Sequence, residues 1–145
     1  MRKMALDIGD VRIGIATSDP MGIIAGGYET FIRTKNIDKD MEYLSILIKE
    51  KQCDTVVVGL PLNMDGSEGD RARIIREFAE KLKNYTDADI VYHDERLSTV
   101  SAEKTLIESG MRREKRKKVI DKVAATIILQ GYLDKINMRR KNHND

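Results

Sequence analysis

Tryptophan is absent from this chain, cysteine occurs once, and proline and histidine occur twice each. Each shortage removes a class of protein. A lone cysteine, Cys53, excludes an intrachain disulfide and a thiolate metal cage. It sits in KEKQCDTVVVG, at a junction between a helical and a strand-like stretch, where the expected role is a small buried residue rather than a reactive thiol. Histidine is limited to His93 and His143, so no Ser-His-Asp or Cys-His arrangement is evident. The longest apolar runs, such as ATIIL at 125–129, are far too short to cross a bilayer. Met1, Arg2 and Lys3 lead into a strand-like stretch broken by Asp7 and not into an apolar leader, so the expected location is cytoplasmic, with no membrane partner. Neither sign of charge dominates: 26 Lys and Arg stand against 24 Asp and Glu, a formal net charge of +2.

What is present is an ordinary globular balance, 41% hydrophobic and 34% charged over 145 residues, enough for one domain and its core. The expected domain is 1–138, followed by a basic flexible tail at 139–145. Residues 4–8 read as a strand, Gly9-Asp10 as a turn and 12–18 as a second strand, together a hairpin. Residues 23–33 supply a third strand. From Asp38 to Lys51, Met41, Leu44, Leu47 and Ile48 recur at helical spacing, with Asp38 as the expected cap. The β-branched run 55–58 fits a strand buried on both faces. A helix over 67–84, a strand over 89–92, a helix from Ser98 or Thr99 to Ser109 stopped by Gly110, and a last helix over 119–136 complete the pattern. Three strands followed by alternating helix and strand predict an α/β fold, with a mixed sheet covered by helices on both faces.

The carboxylates stand out against this background. Asp7 ends the first strand, Asp94 and Glu95 end the strand over 89–92, and both are places where open α/β sheets bind ligands. Asp121 lies on the last helix with Ala124, Ala125 and Ile128 three, four and seven residues on, so it belongs to the stripe that packs. A carboxylate there is costly unless it is paired or ligates a cation. The helix dipole offers a second account, because acids are favoured near helix N-termini, and spacing alone leaves both open. Acids that converge must hold protons or bind cations. Oxygen-only ligation suits Mg2+ or Mn2+, so Asp7, Asp94, Glu95 and Asp121 are the candidate metal ligands.

Arginines and a basic run surround these acids in sequence. Arg12 and Arg96 lie within a few residues of them, placed either to brace the acids or to clamp a phosphate. MRREKRKK at 111–118 contributes Arg112, Arg113, Lys115, Arg116 and Lys117 as candidate contacts to an anionic polymer, in a loop leading to the helix of Asp121. The glycine-rich stretch GLPLNMDGSEGDRAR, with the helix start at Ser67, offers amides for a phosphate but no Gly-Lys-Ser or Gly-Lys-Thr. His93 adjoins the acids, yet strand alternation turns its side chain opposite to that of Asp94, which points to a structural role. With five tyrosines and two phenylalanines, recognition by backbone shape and charge is expected over base stacking.

ALDIGDVRIGIATSD at 5–19, VVVGLPLNMDGSEG at 56–69, HDERLST at 93–99 and KKVIDKVAATIILQGYL at 117–133 together resemble the YqgF/RuvX family, described both as Holliday junction resolvases and as pre-16S rRNA nucleases. The resemblance runs over nearly the whole chain. It implies an RNase H-like fold with a mixed five-stranded sheet, its first three strands antiparallel. It also implies three catalytic acids, Asp7, Glu95 and Asp121, with Asp94 competing for the place of Glu95. The implied activity is metal-dependent phosphodiester hydrolysis, with the 5′ end of precursor 16S rRNA as leading substrate and structured RNA as partner. Two alternatives stand beside it, resolution of branched DNA and a non-catalytic RNA-binding role in ribosome maturation or transcription. The expected state is a monomer or weak homodimer.

Overall fold

The computed structural model describes residues 1–97 and 113–143. Five strands, β1 (Arg2–Ile8), β2 (Arg12–Ser18), β3 (Ala25–Ile32), β4 (Cys53–Leu60) and β5 (Asp89–Asp94), form one sheet in the order β3-β2-β1-β4-β5. The first three pair antiparallel, while β4 and β5 add parallel to β1. Parallel neighbours require crossover connections, and the helices α1 (Ile37–Glu50) and α2 (Asp70–Leu82) lie within them. The mixed sheet read from the sequence is therefore present. The helix expected over 98–109 lies outside the described residues.

Alternation along the strands separates two cores. Met4, Leu6 and Ile8 of β1, Ile13 and Ile15 of β2, and Val56, Val58 and Leu60 of β4 pack against Met41, Leu44 and Ile48 of α1 and Ile75, Phe78 and Leu82 of α2. The opposite face carries Ala5, Ala16 and Val57, covered by Ala124, Ala125, Ile128, Leu129 and Leu133 of α3 (Arg113–His143). This second face is made of small residues, and that lets α3 lie close upon it.

Several boundaries differ from the sequence reading, each for a local reason. The cap of α1 is Asn36, not Asp38: its side-chain oxygen accepts from the amides of Asp38 and Lys39 at 3.0 and 3.2 Å, leaving Asp38 in the first turn. Helix α2 begins at Asp70 and not at Ser67. The Ser67 amide and hydroxyl are both engaged by Asp65, and Gly66 has a φ of +88°, so the chain turns before it can wind. Helix α3 starts at Arg113, well before Val119, because nothing from 113 to 130 is a helix breaker. Arg113, Lys115, Arg116 and Lys117 are thus on the first turns of the helix that carries Asp121, not in a loop. At its other end α3 continues through Arg139 to His143, where the sequence suggested a tail.

Candidate active site

The second face of the sheet holds the acids. On β1, Asp7 follows Ala5 on the side that α3 covers, and its partner across the β1–β2 ladder is Gly14. On β4, Gly59 follows Val57 on the same side, one step beyond the paired residues Leu6 and Val58. Asp7 is therefore flanked by a glycine on each neighbouring strand. A Cβ on Gly14 would stand 2.0 Å from the Asp121 carbonyl oxygen and 3.1 Å from its Cα, so the backbone of α3 rests on the sheet at this residue. A Cβ on Gly59 would stand 2.8 Å from Oε1 of Glu95 and 2.5 Å from Cδ1 of Ile128. Asp7, Glu95 and Asp121 are brought to one end of one face, all three half-buried. Each also has an interaction of its own. Among the described residues, no three His, Cys, Asp or Glu side chains stand together as a group able to hold a metal ion.

Asp94 goes elsewhere. It continues the face of Ile90 and Tyr92, which pack toward α1 and α2. Its carboxylate accepts from Arg96 through Nε at 3.0 Å and Nη2 at 2.7 Å, and from the Arg96 amide at 2.9 Å. The hydrogen bonds from Arg96 hold the Asp94 carboxyl below the usual carboxylate range, against the opposing effect of burial. Asp94, a candidate metal ligand by sequence, is not brought to Asp7; strand alternation sends it to the other side. Arg96 is likewise committed, since its Nη1 also donates to the Met64 carbonyl at 3.2 Å and its guanidinium lies against Gly66. It ties the loop after β4 to the end of β5.

That loop is closed upon itself. The Asn63 amide donates to Ser67 O, the Gly66 amide to Asn63 O, and the Ser67 amide to Asp65. Three of the amides read as a phosphate cradle thus already have partners, and Asp65 and Asp70 add negative charge beside them.

Arg12 lies on the acid side of the sheet, two residues before Gly14 on β2. Its Nε is buried and has no hydrogen-bond partner among the described residues. An orphaned guanidinium nitrogen is costly, and an anionic oxygen is the group that satisfies it best. Arg112 lies outside the described residues.

Two further arginines, not singled out by sequence, fix the hairpin turn next to Asp7. Arg33 Nη1 donates to the Gly9 carbonyl at 2.8 Å, and Arg71 Nη2 donates to the Ile8 carbonyl at 3.1 Å while Nη1 reaches Asp10 at 3.0 Å. Both come from segments remote in the chain, so only the folded protein reveals them. Gly14 and Gly59 did carry a signal, as glycines inside strands mark places where another group approaches closely. His93 points away from Asp94, as alternation predicted; it is buried and packs toward Gly131 of α3. Cys53 is buried too, and burial pushes its thiol up to about 11, as suits a packing residue.

A mixed sheet of this order is that of the RNase H-like fold. The solved structure of Thermus thermophilus RuvC bound to a Holliday junction superposes with a TM-score of 0.56 at 10% identity, covering 91% of this chain and 94% of that one. A family model described as "RuvX: Holliday junction resolvase" matches residues 1–135. Proteins named "Putative pre-16S rRNA nuclease" from Desulforamulus reducens and Halothermothrix orenii are 52% and 51% identical over 134 and 143 residues, covering 92% and 99% of this chain and 97% and 99% of their own lengths. The chain belongs to the RuvX family.

Proposed function

We propose that this protein is a metal-dependent endonuclease that hydrolyses phosphodiesters, with the 5′ end of precursor 16S rRNA as its substrate. The observation that supports the reading is that Glu95 Oε1 approaches Gly59 and the main chain of Asp121 approaches Gly14, the two glycines that flank Asp7. Their donors are all carboxylate oxygens, which fit Mg2+ or Mn2+ and no softer ion. Asp7, Glu95 and Asp121 would hold it, and the reading requires that the three side chains close to ligating distance. What such an ion supplies is an activated water and neutralised charge on the phosphate.

The chain's own residues do the rest. Arg12 meets a non-bridging phosphate oxygen through the Nε that lacks a partner among the described residues. Arg96 braces the loop beside the site. The basic turns of α3 at Arg113, Lys115, Arg116 and Lys117 attract the polynucleotide backbone and lead it toward Asp121. The choice of RNA follows the name shared by the relatives. The family description favours a second reading, in which the same acids cut a DNA junction. Two symmetric cuts would then require a dimer.

The test is cleavage of a precursor 16S rRNA 5′-leader fragment, and separately of a four-way DNA junction, by wild type and Asp7→Asn in Mg2+, Mn2+ and EDTA. Metal-dependent product from wild type alone supports the reading, and the nucleic acid that is cut chooses between substrates. Equal cleavage by Asp7→Asn overturns it.

A further inference from the structure

We infer that Gly59 is a positioning residue for Glu95: the missing side chain at this point of β4 is the seat that holds the Glu95 carboxylate on the α3 face beside Asp7. The inference rests on the reading of Glu95 as a site acid.

The geometry separates Gly59 from an ordinary packing glycine. Nothing about its backbone demands glycine, since its φ is not among the positive ones. Instead, two atoms crowd the position where a Cβ would be, Ile128 Cδ1 at 2.5 Å and Glu95 Oε1 at 2.8 Å. Both are the ends of flexible side chains, so a methyl group there is accommodated by moving them. Ile128 belongs to the second core, and its shift affects packing. Glu95 follows directly on the last residue of β5, and its shift affects the site. Gly59 is paired with His93 on β5, two residues before Glu95, which fixes the height at which the carboxylate must cross β4.

One change in Gly59 therefore has two consequences that a second change can separate. In Gly59→Ala, the new methyl group displaces both neighbours. In Gly59→Ala with Ile128→Val, loss of Cδ1 relieves the core, while the crowding at Glu95 Oε1 remains. If Gly59 serves packing alone, the double variant recovers every property. If it seats Glu95, stability returns and the site stays disturbed.

The experiment measures three things on wild type, Gly59→Ala and the double variant: melting temperature, Mn2+ affinity by calorimetry, and the carboxyl 13C shift of Glu95 in metal-free protein. The expected result is a melting temperature largely restored in the double variant, with Mn2+ affinity still about 10-fold or more below wild type and the Glu95 resonance still displaced. A Glu95 resonance unmoved in Gly59→Ala, or restored by Ile128→Val, overturns the inference. Wild type that takes up no Mn2+ overturns the metal-dependent reading instead, and the carboxyl resonance then decides the role of Gly59 without it.

Discussion

Gly14 of β2 supports the main chain of Asp121: the hypothetical Cβ would lie 2.0 Å from the carbonyl oxygen and 2.4 Å from the carbonyl carbon of a residue within α3. Helix backbone does not give way as a side-chain end does. Gly14→Ala must therefore lift α3 from the sheet, and overpacking of this kind costs about 3 kcal/mol, equivalent to roughly 10 °C in melting temperature. Calorimetric melts of the two proteins check this. A loss below about 2 °C would mean that the contact is soft.

Removing Arg96 releases the loop after β4. In Arg96→Ala, hydrogen exchange at residues 61–69 is expected to accelerate, while global stability changes little because the pair is partly exposed to solvent. The Asp94 carboxyl, held low by Arg96, should titrate higher in the variant. A depressed carboxyl stabilises the fold above its unfolded value near 3.8, and that contribution disappears as pH falls through the folded value. Arg96→Ala should accordingly flatten stability in that acidic window. Proton-detected exchange and carbon-detected titration read the two effects separately.

His93 gives stability a slope at less acidic pH. Burial lowers its pKa below 6.5, the nearby Lys135 adds to this, and Asp94 opposes it. As pH falls below about 6.5 the unfolded chain takes up the proton first, so stability is full above that value and declines below it until the folded imidazole also protonates. His93→Asn removes the slope. Melting temperatures at steps between about pH 7.5 and pH 5 should converge for the variant and fall for wild type. Parallel curves would show that other groups set the acid sensitivity.

Cys53 should resist alkylation in the folded protein. A thiol pushed from 9.0 to about 11 has about a hundredfold less thiolate at neutral pH, and burial restricts access further. Iodoacetamide should label the native chain slowly and the urea-unfolded chain quickly. Rapid native labelling would contradict the packing described around β4.

The sequence was most legible where a single element decides the outcome. Residues 12–18 alternate as a strand should, and β2 has those bounds. Periodicity placed Met41, Leu44, Leu47 and Ile48 on the buried side of α1, and put Ala124, Ala125 and Ile128 on the packed stripe with Asp121. It was least legible where two distant segments meet. Asn36 prevailed over Asp38 as a cap because its position at the chain's bend, not its chemistry, brought its oxygen to the amides. Asp94 and Glu95 are adjacent and chemically alike. Alternation turns them to opposite faces, and only the register of β5 against β4 brings Glu95, and not another residue, to Gly59. The glycines of RIG and VVG mark a close approach, but nothing local in them says which distant segment makes it.

The three acids come from the first strand, the end of the last strand and the final helix, so almost the entire chain separates the first from the third. Contacts of such long sequence separation form late and slowly. During synthesis, Asp7 is exposed on an emerging hairpin long before residue 121 leaves the ribosome. On the proposed assignment, the acids come together only once α3 has docked, so a nascent chain still lacking that helix would be silent toward the RNA around it.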